Sequence, residues 1–148
     1  MNKKITFSFI IVLVFFISIF YFSQKDSSVT ISGVKIAGQE IKVDLAITKV
    51  EHSRGLSGRA ELQEDEGMLF VFDHPAQHPF WMKEMNFPID IIWLSKDKKV
   101  VDIKKDARPE LYPEIYTPSQ EAKYVLEVVS GFSEKHNLKV GDKVKFSY

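Results

Sequence analysis

Residues 66–94, EGMLFVFDHPAQHPFWMKEMNFPIDIIWL, limit the folds open to this chain more than any other stretch, because two strongly apolar runs there are crossed by charges at positions expected to be buried. Met68–Phe72, Phe80–Met82 and Ile89–Leu94 are apolar on both alternating faces and rich in aromatic and β-branched residues, so they read as buried strands at the centre of a sheet. Alternation puts Ile89, Ile91 and Trp93 on one face of their strand and Asp90, Ile92 and Leu94 on the other. The same count in Tyr124–Val129 places Glu127 between Val125 and Val129. A buried carboxylate without partners is costly or takes up a proton, so each of the two needs a cation or several hydrogen-bond donors. Arg54, Arg59 and Lys83 are the candidate cations.

Two readings of this charged set follow. In one, Asp90, Glu127 and their partners tie strands and the Gly55–Gly58 loop together. In the other they line a pocket, with a raised carboxyl pKa for acid/base work or a cationic arm for an anionic ligand. Asp90 and Glu127 lie 37 positions apart, which carries no spacing signature. A glycosidase-type pair therefore depends on a separation in space.

The remaining pattern completes a mainly antiparallel, barrel-like α+β domain with about seven strands and two short helices. Val29–Ile31 and Val34–Ile36 alternate as strands, Ala37-Gly38-Gln39 turns, and Ile41–Ile47 returns as the second arm of a hairpin. Thr48 and Glu51 match a capping box for a short helix toward Arg54. Ser95–Lys99 turns into Val100–Ile103, giving a second hairpin. Ala107–Gln120, with three prolines, reads as a loop. Ser130–Asn137 suits a short helix, and Val140-Gly141-Asp142 turns into a last strand, Lys143–Phe146.

The chain opens with Lys3 and Lys4 and then runs from Ile5 to Phe22 without a charge. That length is at the lower end of the transmembrane range. A cleaved signal peptide is the rival reading, but small residues before a cut are lacking apart from a weak candidate at Ser23. The expectation is one N-terminal transmembrane helix within an anchor and linker at 1–28, followed by a single globular domain at 29–148. The lysines favour a cytoplasmic N-terminus and a domain outside the cytoplasm, secreted if the segment is cleaved. With no cysteine, the domain must be stabilised by its core. Residues 29–148 carry 17 Lys/Arg against 19 Asp/Glu, which offers no electrostatic case for nucleic acid.

Other chemistries find little footing. His74 and His78 have an H-x3-H spacing, with Asp73 beside them, but Pro75 and Pro79 favour a loop in which the spacing guarantees nothing. Met68, Met82 and Met85 sit among aromatics and read as core fillers before copper ligands. There is no cysteine nucleophile, G-x-S-x-G elbow, phosphate loop or dinucleotide fingerprint. No metal or cofactor is expected.

Taken together, Arg54-Gly55-Leu56-Ser57-Gly58-Arg59, Leu62, Glu66–Phe72, Phe80-Trp81-Met82-Lys83, Pro88–Ile92, Val101-Asp102-Ile103, Tyr124–Val128, Gly131 and Val140-Gly141-Asp142 resemble the family called domain of unknown function 192. The resemblance covers about residues 40–146. It implies a compact β-rich domain, often behind a signal or anchor in prokaryotic proteins, and no established activity. The family's polar positions fall on Arg54, Arg59, Glu66, Lys83, Asp90 and Glu127. Family members commonly continue the W-M-K run with Asn-Thr, where this chain has Glu84-Met85.

The functional expectation is a membrane-anchored binding or accessory module. Its polar pocket near Arg59, Lys83, Asp90 and Glu127 would take a small or carbohydrate-like ligand. One alternative is a hydrolase using a carboxyl group of Asp90 or Glu127. Another is a structural partner of an envelope protein, bound through an exposed apolar patch.

Overall fold

The turn at Ala37 and Gly38, both at positive φ, is a two-residue hairpin joining β1 (Gly33–Ile36) to β2 (Gln39–Ala46). The computed structural model describes residues 30–148; Val29 and the apolar segment at 5–22 lie outside the described residues. Among the described residues no helix is long and apolar enough to cross a membrane. Beyond β2 the capping box forms as its sequence predicts. The Glu51 N–H donates to Thr48 Oγ1 at 3.2 Å, and the Thr48 and Ile47 N–H groups donate to Glu51 Oε2 at 2.8 Å. These donors hold the Glu51 carboxyl below its ordinary range and start α1 (Lys49–Arg54), a helix with no buried residue.

From α1 the chain crosses to β3 (Glu66–Ala76), which runs parallel to β2. Antiparallel pairing then adds β8 (Ala122–Val129), β5 (Ile89–Leu94) and β6 (Val100–Ala107) on one side, and β9 (Lys145–Ser147) joins β1 on the other. The strand order is β6-β5-β8-β3-β2-β1-β9. A four-residue helix, α2 (Phe132–Lys135), follows β8.

Each face of the central strands carries its own core. Ile92, Leu94, Leu69, Leu126 and Val128 pack with Val34, Ile36 and Phe132 on one side. Ile89, Ile91, Trp93, Phe70 and Val125 pack with Leu56 and Met82 on the other. This is why β5 is buried at all six positions.

The structure corrects four expectations. The sheet is open rather than barrel-like: edge strands β6 and β9 do not pair, and the start of β6 meets the segment before β9 only through a bridge of Lys99 with Lys143 and backbone hydrogen bonds of Lys98 and Val100 to residues 141–144. Phe80–Met82 is not central; β4 (Phe80–Trp81) pairs with β7 (Ile115–Tyr116) in a separate two-stranded sheet, which puts ordered structure inside the expected loop at 107–120. That segment also holds a 3-10 turn at Pro109–Leu111. Finally, β3 continues through His74 and Pro75. Its register with β8 breaks between Val71 and Ala76, so Pro75 falls where no regular ladder needs its missing N–H.

One glycine is fixed by the approach of neighbouring strands. A Cβ on Gly67 would lie 2.7 Å from the Glu127 carbonyl oxygen, closer than any side chain tolerates.

Candidate functional site

Helix α1 ends on Gly55, at φ 49°, whose N–H donates to the Glu51 carbonyl at 2.8 Å. Here the absence of a side chain has a second effect. A Cβ would stand 3.2 Å from Phe70 Cζ and 4.0 Å from Glu127 Oε2, so glycine keeps open the approach to that carboxyl. The turn that follows is anchored by buried Leu56 and fastened to the segment after β4. Ser57 Oγ donates to the Lys83 carbonyl at 2.8 Å, the Gly58 N–H to the Glu84 carbonyl at 2.9 Å, and Asn86 Nδ2 to the Arg59 carbonyl at 2.8 Å.

Three depressions adjoin around this turn, and Arg54 and Ser57 border all of them. The first is a cavity of about 140 Å³ walled by Phe70, Phe72, Phe80, Trp81 and Met85, with His52 at its side and Glu127 lining it. The Phe70 and Phe80 rings meet edge to face at 4.9 Å, and His52 lies against Phe72 at 4.4 Å, so the walls are braced by one another. The second depression, of about 450 Å³, is bordered by Asp44, Glu51, Arg59 and Met68. The third, of about 480 Å³, is bordered by Lys49, Ser53, Lys83 and Glu84.

Glu127 is only 4% exposed, and its Oε2 has no hydrogen-bond partner. Burial pushes its carboxyl up to about 8, so at neutral pH most molecules carry a protonated, uncharged Glu127. The expected cation for it is absent among the described residues; protonation answers the burial instead.

Asp90 has the opposite solution. Fully buried, it accepts from the Asp106 N–H at 2.9 Å and the Gly131 N–H at 3.3 Å through Oδ1, and from the Ser133 N–H at 2.8 Å through Oδ2. Gly131 occupies the N-cap of α2 and has no side chain to cap it, so Asp90 of β5 supplies the capping oxygen from across the sheet. Asp90 is thus a structural anchor with several donors and no cation. It does not line the depressions described above.

The other sequence-chosen residues separate likewise. Arg59 pairs with Asp44. Lys83 is exposed and stands 3.9 Å from Glu84. Glu66 accepts from the Gln63 N–H at 3.2 Å and steadies the entry to β3. Only Arg54 and Glu127 border the aromatic cavity. Sequence reasoning missed His52, whose Nε2 contacts the Ala46 carbonyl at 3.0 Å, and the wall-forming role of Phe72. His78 stacks on Phe72 with ring centroids 3.5 Å apart, and burial lowers its pKa. Among the described residues no group of three or more metal-ligating side chains converges.

A family model, DUF192, described as an uncharacterized ACR, matches residues 32–146. The chain belongs to the DUF192 family. Relatives of this DUF192 domain include a UPF0127 protein of Thermococcus kodakarensis, 31% identical over 113 residues, which are 72% of this chain. The chain spans only 65% of the length of that relative. A UPF0127 protein of Pyrococcus abyssi is 30% identical over 123 residues, 80% of this chain and 97% of its own. A crystal structure of a protein of unknown function from Novosphingobium aromaticivorans is similar with a TM-score of 0.74 and 31% identity, covering 82% of this chain and 89% of that one. Within the DUF192 domain, Glu84 takes a left-handed φ of 55°, a conformation in which Asn is favoured over Glu.

Proposed function

We propose that this domain is a binding module for a small ring-bearing ligand, seated in the aromatic cavity over Glu127. The observation that carries this reading is a buried carboxyl oxygen without a partner, lining a cavity that Gly55 keeps open. A buried polar atom in that state calls for a reason, and a ligand group that meets it supplies one. Size narrows the class, since a cavity of roughly 150 Å³ accommodates one benzene ring. Aromatic walls favour a flat apolar ring over a polyhydroxylated sugar, whose hydroxyls would need more partners than one carboxyl.

The test is a titration of the full chain with phenol, followed by NMR of the Met85 methyl and the Trp81 indole. Saturable shifts confined to cavity residues are expected. Shifts absent, or spread evenly over the surface, would sink the reading.

The hydrolase alternative rests on Glu127 alone, whose raised carboxyl would suit a general acid. Its potential helpers are engaged elsewhere, Ser57 Oγ by the Lys83 carbonyl and His52 Nε2 by the Ala46 carbonyl. Docking to an envelope protein draws support from Trp81 and Ile115, which pair across β4 and β7 and are 48% and 58% exposed.

We further propose that residues 5–22 anchor the domain outside the cytoplasm. The uncharged run behind Lys3 and Lys4 supports this. Intact mass of the membrane-extracted protein tests it: a chain of the full 17.1 kDa is expected, and loss of the first twenty-odd residues would contradict an uncleaved anchor.

A further inference from the structure

We propose that the ligand over Glu127 is a ring carrying a carboxylate, and that Arg54 takes the carboxylate. This rests on the binding role proposed for the cavity. The described residues contain three arginines, of which Arg59 pairs with Asp44 and Arg108 with Asp106. Arg54 has no ion-pair or hydrogen-bond partner for its side chain among the described residues, although it is exposed at the meeting point of all three depressions.

The nearby carboxylates are already committed. Glu51 accepts from the Ile47 and Thr48 N–H groups, Asp44 holds Arg59, and Glu84 lies beside Lys83. Lys49 and Lys83 border the third depression, so four cations, Arg54 among them, stand against three carboxylates around these depressions while Glu127 is uncharged. The surplus is positive.

Geometry then divides the ligand in two. The cavity of about 140 Å³ has room for a ring and little more, which leaves an attached anionic group outside, beside Arg54. A guanidinium presents a planar fork that matches the two oxygens of a carboxylate. Inside, the Glu127 carboxyl meets a polar substituent on the ring or the π face itself.

Benzoate and benzamide have nearly the same shape and differ in charge, which makes them the discriminating probes. Both are titrated by NMR against the full chain and against Arg54→Gln, whose fold is checked by thermal melting. Benzoate is expected to bind roughly tenfold more tightly than benzamide to the native chain, the preference vanishing in Arg54→Gln. Equal binding of the two probes would overturn the carboxylate while leaving the cavity's role intact. A benzoate preference that persists in Arg54→Gln would overturn the assignment of Arg54. If neither probe binds and phenol also fails, the cavity reading falls and this inference falls with it.

Discussion

Glu127 of β8 pairs with Ile91 of β5, one residue out of step with Asp90, which pairs with Val128. Paired residues on antiparallel strands share a face, so the two buried carboxyls leave the sheet on opposite sides. A concerted acid/base pair from these residues is geometrically excluded, because a β-sheet lies between them. Each carboxyl therefore makes its own predictions.

Asp90→Asn replaces an acceptor-only carboxylate with a group whose amide nitrogen must face backbone donors. A loss of about 2–4 kcal/mol is expected. Urea denaturation should show a lower midpoint at unchanged slope, with phenol binding to the folded protein retained.

Glu127 has a folded pKa of about 8 against an ordinary value of 4.5. Between these values the folded state holds the extra proton, so stability falls as pH rises from about 4.5 to about 8. Below that window the group costs nothing through ionisation; above it the full penalty is present, on the order of a few kcal/mol. Glu127→Gln should flatten this slope and be the more stable protein at pH 9, as read by urea midpoints across pH.

Gly67→Ala places a methyl 2.7 Å from the Glu127 carbonyl oxygen, a backbone atom in the middle of the sheet that cannot step aside. Destabilisation above about 3 kcal/mol is expected, detectable as loss of soluble folded protein or a collapsed melting temperature.

Thr48→Ala removes the hydroxyl that receives the Glu51 N–H. Because α1 buries no residue, its caps carry much of its stability, and a loss of about 1 kcal/mol is expected. Faster amide exchange should be confined to residues 49–55.

Glu84→Asn relieves a left-handed backbone at φ 55°. A gain of about 0.5–1 kcal/mol is expected in thermal or urea melts.

Much of this architecture was legible in local patterns. The capping box at Thr48 and Glu51, the first hairpin and the burial of Asp90 and Glu127 all follow from spacing within one segment. What spacing within a segment does not carry is the register between segments. Alternation along β5 and along β8 marked each carboxyl as buried, but only the pairing of Ile91 with Glu127 tells that they face apart. For the same reason Asp90's partners were unreadable, since its donors come from β6 and α2, up to 43 positions away. Pro75 misled because a proline objects to a ladder, and β3 has no regular ladder at that point. The cavity was hidden too, since its walls come from α1, β3, β4 and β8 and meet only in the folded domain.

The pairing of β9 with β1 sets an order on assembly. β1 finds β2 within a few residues of being made, yet its other edge waits for Lys145–Ser147, more than 100 positions later. During synthesis, the early hairpin therefore stands with one unsatisfied backbone edge until almost the whole domain has emerged. Completion of the sheet is a late event, and the interval before it is when a nascent chain is most open to pairing with the wrong strand.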